Sequence, residues 1–228
     1  MPLGSTEQHG PHLPLSTDTD IAVALTTDLE SRRDDIVVAP ALAYGASGEH
    51  AGFPGTLSIG QEALELLLVE LGRSASETFN HLLIISTHGG NATRITLPLR
   101  ERDRAPPSHA ARRGRRSAER RAAERLRGES RDVLIWMPPL TGGAHAGRTE
   151  TSIELALRPT LVHQELALSG DTRPINELMP LIRASSVRSI SPTGVLGDPT
   201  GASVTEGAAL LTALADDLER AVQAWVGR

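Results

Sequence analysis

Between Gly4 and Asp18 the chain sets Glu7, His9 and Asp18 among glycines, prolines and hydroxyls, with no apolar periodicity for a helix or buried strand. Glu7 and His9 are two apart, so in extended backbone their side chains point to one face and reach a common point. Asp18 follows a proline-containing turn and precedes the apolar run Ile21-Ala22-Val23-Ala24-Leu25, which places it at a helix start. Carboxylate, imidazole and carboxylate together form a ligand set suited to Zn²⁺, Fe²⁺ or Mn²⁺. A plainer reading also fits, with His9 and His12 as turn residues and Asp18 as an N-cap. Metal binding needs further ligands from later in the chain.

Two later loops offer them. His81-Leu82-Leu83-Ile84-Ile85-Ser86 reads as a buried strand ending at Thr87-His88-Gly89-Gly90-Asn91. In open α/β sheets the ligand crevice lies off the carboxyl ends of the strands, where His88 falls, and two glycines let the backbone turn sharply beside a ligand. Asp132-Val133-Leu134-Ile135-Trp136-Met137 reads as another buried strand. The loop after it, Gly142 to Ser152, carries His145 and Glu150 before the helical run Ile153 to Leu157. Thr149 as the cap of that helix puts Glu150 in its first turn, where negative charge is favoured.

The elements that must position these loops alternate along the chain. Asp18 to about Ser31 reads as a helix, and Ile36-Val37-Val38-Ala39 as a short buried strand. The glycine-rich loop from Ala43 to Thr56 shapes a site or a subunit contact. Ser58-Ile59-Gly60-Gln61 has the form of a capping box opening a helix through about Arg73. Ser191 to Thr200 is a run of turns near the site or an interface, and a last amphipathic helix spans Ser203 to Trp225.

At 228 residues the chain fits one domain, 1–228, with a sheet and flanking helices. Aromatics make up only 2%, so Leu, Ile, Val and Ala must build the core. The absence of cysteine excludes disulfides and thiolate ligands, leaving His, Asp and Glu to bind metal. No signal peptide or bilayer-length apolar run is found, which reads as soluble and cytoplasmic with no membrane partner. The net charge of −5 hides an arginine block: residues 100 to 131 carry twelve Arg against five acids, so the remainder carries −12. A basic block on an acidic protein does not argue for nucleic acid. Its prolines and thin stripe of Ala118, Ala122 and Leu126 predict an irregular, solvated segment over about 98–131.

Gly4-Ser5-Thr6-Glu7-Gln8-His9-Gly10 with Asp18, Phe53-Pro54-Gly55-Thr56, His88-Gly89-Gly90-Asn91, and His145-Ala146-Gly147 with Glu150-Thr151-Ser152 resemble the creatininase family of metal-dependent amidohydrolases. Tyr44 to His50 and Gly194 to Thr200 resemble a peptidase branch of that family. The resemblance implies a three-layer α/β/α sandwich with a mostly parallel central sheet, assembled as a homo-oligomer. It implies two divalent metal ions per chain, Zn²⁺ and/or Fe²⁺ with Mn²⁺ possible. Glu7 and His88 would hold one, His9 the other, and Asp18 would bridge them. Glu150 would complete the ligand set of the second metal, because Gly90 stands where creatininase supplies a carboxylate. His145 would hand a proton to the departing amine, and Glu49 and His50 would touch substrate. The implied reaction releases a carboxy-terminal Val-Tyr-derived dipeptide from a modified precursor peptide of a redox cofactor. The alternatives are a creatininase- or formamide-type amidohydrolase on a small substrate, and a metal-free inactive scaffold.

The chain departs from that pattern in three places. Relatives have a strand leading into Pro2-Leu3-Gly4, and its absence predicts fraying of Glu7 and His9. Ser86-Thr87 replaces the usual Asn-Gly before His88. An amphipathic helix expected after Asn91 gives way to the arginine block, which we read as a local reading-frame slip over about 92 to 130; translating the other two frames of the coding DNA tests this.

Overall fold

The computed structural model describes residues 1–92, 118–129, 132–139 and 143–227. Three strands, β1 (Pro2–Leu3), β2 (His81–Ser86) and β3 (Asp132–Trp136), run parallel in the order β1-β2-β3. The register pairs His81 with Asp132 through to Ile85 with Trp136. Successive side chains of a strand point to opposite faces. Leu82, Ile84, Val133 and Ile135 therefore pack against α2 (Gly60–Ala75) and α4 (Ala118–Gly128), while Leu83, Ile85 and Trp136 face the other side. There they meet α1 (Thr17–Arg32), α5 (Arg148–Leu157) and α8 (Val204–Val226). Helices on both faces of a parallel sheet make the expected α/β/α sandwich. The short α3 (Gly89–Ala92) follows β2, and α6 (Ile175–Ala184) and α7 (Val187–Ile190) pack beside Phe53 and Leu196. Among the described residues no helix is long and apolar enough to cross a membrane.

Four sequence expectations are corrected. The strand at Ile36 to Ala39 does not form. Leu42 pairs with β1 instead, donating to the Pro2 carbonyl (3.0 Å) and accepting from the Gly4 amide (2.9 Å). Extending that parallel register places 36–39 beyond the amino end of β1, so they find no ladder partner there. Met1, Ile36, Val38, His81 and Trp225 line a cavity of about 370 Å³ at this end of the sheet.

The amino end does not fray. The Ile85 amide donates to Met1, the Thr87 amide to Leu3, and Glu7 and His9 are fully buried. The capping box at Ser58 is not made, because the Ser58 hydroxyl accepts from Ser47 and Gly60 instead. Gln61 turns its amide toward Gly90 and the first amide of α4.

The fourth correction concerns the arginine block, of which 93–117 and 130–131 lie outside the described residues. Residues 118–128 form α4 rather than an irregular stretch, and Ala118, Ala122 and Leu126 are fully buried. A stripe of two alanines and one leucine suffices because α2 approaches closely. A Cβ on Gly72 would sit 2.3 Å from Leu126 Cδ1, so the missing side chain is what lets Leu126 seat this close to α2.

Two measurements probe this packing. Leu126→Ala should cost about 2–5 kcal/mol in denaturant unfolding, as for a core leucine, whereas a solvated segment would lose almost nothing. Glu154 of α5 is buried with neither carboxylate oxygen hydrogen-bonded. Burial, then the neighbouring Asp20, push its carboxyl up to about 8 from 4.5. A raised acid is disfavoured in the fold once it ionises, so this group makes wild-type stability fall as pH rises from 4.5 through about 8. The melting temperature of Glu154→Gln relative to wild type should climb across that window; a difference independent of pH would refute the assignment.

Candidate active site

Each chemically active side chain leaves a carboxyl end of the sheet or a helix start beside it. Glu7 and His9 follow β1, and Asp18 is the second residue of α1. His88 follows β2, Glu49 and His50 lie in a single 3-10 turn, and His145 and Glu150 flank the start of α5 after β3. The fold thus brings together all five expected ligands and His145.

Asp18 stands at the centre. Its Oδ1 is 3.4 Å from His9 Nε2 and its Oδ2 3.2 Å from His88 Nδ1. Glu7 Oε1 lies 3.2 Å from His88 Nδ1, 3.6 Å from His145 Nδ1, 3.7 Å from His50 Nε2 and 4.0 Å from His9 Nε2. Glu150 groups with His9 and Asp18, offering ligand atoms within 4.8 Å of one another. Asp18 as a mere N-cap is therefore corrected: Ser16 precedes the helix, and the Asp18 carboxylate turns inward.

The outer nitrogens show what these side chains are built to hold. His9 Nδ1 meets the Glu7 carbonyl at 3.1 Å, His145 Nε2 the Gln8 carbonyl at 2.8 Å, and His88 Nε2 the Ala46 carbonyl at 3.4 Å. A carbonyl can only accept, so each outer nitrogen carries the hydrogen and each inner nitrogen, when neutral, presents a lone pair. Those lone pairs face carboxylate oxygens, acceptor against acceptor. Glu7 Oε1, His9 Nε2 and Asp18 Oδ2 are buried without a hydrogen bond. A cation between them, proton or metal ion, resolves the repulsion, and a carbonyl behind the outer N–H is the usual support of a metal-binding imidazole. The donor set of nitrogen and carboxylate oxygen fits zinc, iron or manganese.

Protons respond to the same field. Burial lowers the proton affinity of His9, yet Asp18 beside it raises the balance to about 10. His88 is likewise driven well above its usual range, burial being outweighed by Glu7 and Asp18. His145 is driven well below, by burial and then by His9 and His50, whose rings both stack 4.1 Å from it. Burial likewise pushes the Glu150 carboxyl up.

Neutral hydrogen bonds lock the loops. Asn91 accepts from the Ala46 amide and donates to the Gly4 carbonyl, joining three loops through one side chain. Thr87 donates to the backbone carbonyl of Asp18 at 2.6 Å, so its hydroxyl supports the ligand-bearing turn. The Gln8 amide donates to Thr56 of the Phe53-Pro54-Gly55-Thr56 stretch. His145 pairs with Leu196 of the Ser191 to Thr200 run, which places that run at the site. Ala146 takes a left-handed φ of 51° and donates to Glu150 Oε2 at 2.6 Å, holding the carboxylate toward His9.

Sequence reasoning set Glu49 and His50 against substrate, but both are buried among the ligands. Their adjacency in a glycine-rich loop was the available signal; nothing local fixed which way they point. Beside Glu150 a cleft of about 460 Å³ opens, lined also by Met137, Ala144, Arg173, Ile175 and Leu196.

A family model described as creatinine amidohydrolase matches residues 1–222. The mycofactocin precursor peptide peptidase of Mycobacterium tuberculosis (strain CDC 1551 / Oshkosh) is 43% identical, covering 99% of this chain and 84% of that protein. A solved structure named Creatininase Mn superposes with a TM-score of 0.72 at 22% identity, covering 97% of this chain and 88% of that one. A creatininase mutant described as Zn-Zn type superposes at 0.70 with 21% identity and the same coverage. The fold, the matched length and the relative's identity agree: this chain belongs to the creatininase family.

Proposed function

We propose that the protein is a dinuclear metal-dependent hydrolase of amide C–N bonds. Glu7 and His88 would hold one divalent cation and His9 and Glu150 the other, with Asp18 shared between them. The observation that carries this reading is the set of inward imidazole nitrogens aimed at Glu7 and Asp18 at 3.2–4.0 Å. Two such cations, when bound, polarise a scissile carbonyl and lower the proton affinity of water. The ions are Zn²⁺ and/or Fe²⁺, with Mn²⁺ as a working substitute; the Mn and Zn-Zn descriptions of creatininase structures support that choice.

Hydrolysis joins the oxygen of water to the carbonyl carbon, breaks the C–N bond and delivers a proton to the departing nitrogen. His145 is suited to that delivery. Its Nε2 is committed to the Gln8 carbonyl, so only Nδ1 can take and return a proton. Burial, His9 and His50 keep it neutral at rest, so a proton placed on it is readily surrendered. The substrate is a modified mycofactocin precursor peptide, and the product a carboxy-terminal Val-Tyr-derived dipeptide. The name of the 43% identical relative supports this choice. So does the volume of the cleft beside Glu150, about 460 Å³, which leaves room for a dipeptide.

The loaded protein should carry about two ions per chain, and chelation should abolish hydrolysis and lower the melting temperature. Elemental analysis finding none after loading would leave an inactive scaffold. Assaying the precursor peptide against creatinine and formamides separates the substrate readings: turnover of the small amides alone would sink the peptidase. His145→Ala should reduce kcat by about 10²–10⁴-fold with metal content intact. Loss of an ion from that variant would make His145 a ligand and end its assignment as proton donor.

A further inference from the structure

His88 differs from the other inward-facing imidazoles in what stands behind it. His9 and His145 each rest on one backbone carbonyl, at 3.1 and 2.8 Å. Behind His88, Nε2 meets the Ala46 carbonyl at 3.4 Å, Ser47 Oγ at 3.4 Å and Glu49 Oε1 at 3.5 Å. All three acceptors come from one short stretch, and Glu49 is the one of them that can carry a charge, burial pushing its carboxyl up to about 7. Glu49 is 5% exposed, and its carboxylate fills room that a residue other than glycine at position 90 would take. A Cβ built on Gly90 would lie 2.1 Å from Glu49 Oε1 and 2.3 Å from His88 Nε2. Gly90 and Glu49 are thus complementary, one omitting a side chain where the other inserts a carboxylate.

We propose that Glu49 is a positioning residue, whose carboxylate, 3.5 Å from Nε2 of His88, holds the N–H side of that ring electrostatically and thereby aims Nδ1 as a strong donor at the cation that Glu7 would share. The inference rests on the dinuclear reading. Glu7, Glu49 and His88 offer ligand atoms within 4.8 Å of one another, so ligation by Glu49 is the reading the test must exclude; the orientation of the ring favours positioning. His88 Nδ1 is 3.2 Å from both Glu7 Oε1 and Asp18 Oδ2, so the cation side of the ring is Nδ1. Glu49 stands at the opposite nitrogen, and one imidazole does not turn both nitrogens to the same ion. A carboxylate behind a ligating imidazole fixes its tautomer and raises its basicity, and losing such a partner costs about 10–100-fold in metal affinity.

The test is titration of the metal-free protein with Zn²⁺ against a competing chelator. Wild type should bind in two resolved steps. Glu49→Gln keeps an acceptor but loses the charge, and should weaken one step by about 10–100-fold while the other step and the metal-free melting temperature stay put. Glu49→Asp, which keeps the charge, should recover part of the loss and serves in its place if the glutamine variant does not fold. Two unchanged steps in Glu49→Gln would overturn the proposal, as would both steps weakening together with a lower melting temperature, the mark of a merely structural role. Loss of a whole equivalent would make Glu49 a ligand and likewise overturn it. A wild-type protein binding fewer than two ions would fail the dinuclear reading itself, which is a different result.

Discussion

The site depends on one carboxylate facing two ways. Asp18 presents one oxygen to an imidazole from the β1 loop and the other to an imidazole from the β2 loop. Both oxygens can be so directed because Asp18 lies in the first turn of α1, where free amides favour negative charge and the helix fixes its bearing. If α1 entered one residue later, its inward face would rotate by about 100° and Asp18 would leave the crevice. The turn at Pro14 sets that phase. The Thr17 amide and hydroxyl both donate to the Pro14 carbonyl, and Ser16 donates to Asp20.

Everything around this carboxylate keeps three loops in step. A parallel sheet delivers its loops to one end, which is why ligands far apart in the chain meet. The meeting still needs fine adjustment, and uncharged hydrogen bonds supply it. Asn91 joins the His88 turn to Gly4 and Ala46, while Thr87 joins it to the Asp18 backbone. These contacts are made to backbone groups, so they set loop spacing without adding charge to a site already crowded with it. Thr87 fits before His88 because its hydroxyl finds the Asp18 carbonyl within reach.

Much of this was legible in the sequence for a definable reason. Glycine and proline around isolated His, Asp and Glu leave no packing role for those residues, and strand ends of a parallel sheet lie together. Glu7, His9, Asp18, His88, His145 and Glu150 could therefore be grouped before any coordinate. What was illegible depended on contacts between distant segments. Ile36 to Ala39 has strand composition, but a strand needs a partner ladder and its register finds none. Ala118, Ala122 and Leu126 looked too thin for a core face, and only the approach permitted by Gly72 makes them one. Glu49 and His50 read as substrate contacts because their inward direction comes from the 3-10 turn at Gly48–His50. No periodicity announces so short an element.

A cluster of buried carboxylates and imidazoles raises the question of how the chain folds before any cation arrives. Burying Glu7 and Asp18 as bare charges would be prohibitive. Burial tends to raise both acids, but the imidazoles facing them outweigh it, with the charged His88 beside Glu7 and the charged His9 beside Asp18, keeping Glu7 far below and Asp18 below the ordinary carboxylate range. The compensating protons sit on His9 and His88, the two imidazoles that Asp18 separates. Burial pushes the Glu49 and Glu150 carboxyls up, so Glu7 and Asp18 are the anions that the two imidazolium cations balance. Divalent ions that enter must displace those protons, so loading exchanges one set of positive charges for another within the same geometry. The network that lets the empty site fold is therefore also the one that shapes it for metal. His145 and His50 stand apart from that exchange, held neutral by burial and by the charged rings beside them. That division, with two imidazoles charged and two neutral around one pair of carboxylates, separates groups suited to binding cations from a group suited to moving a proton.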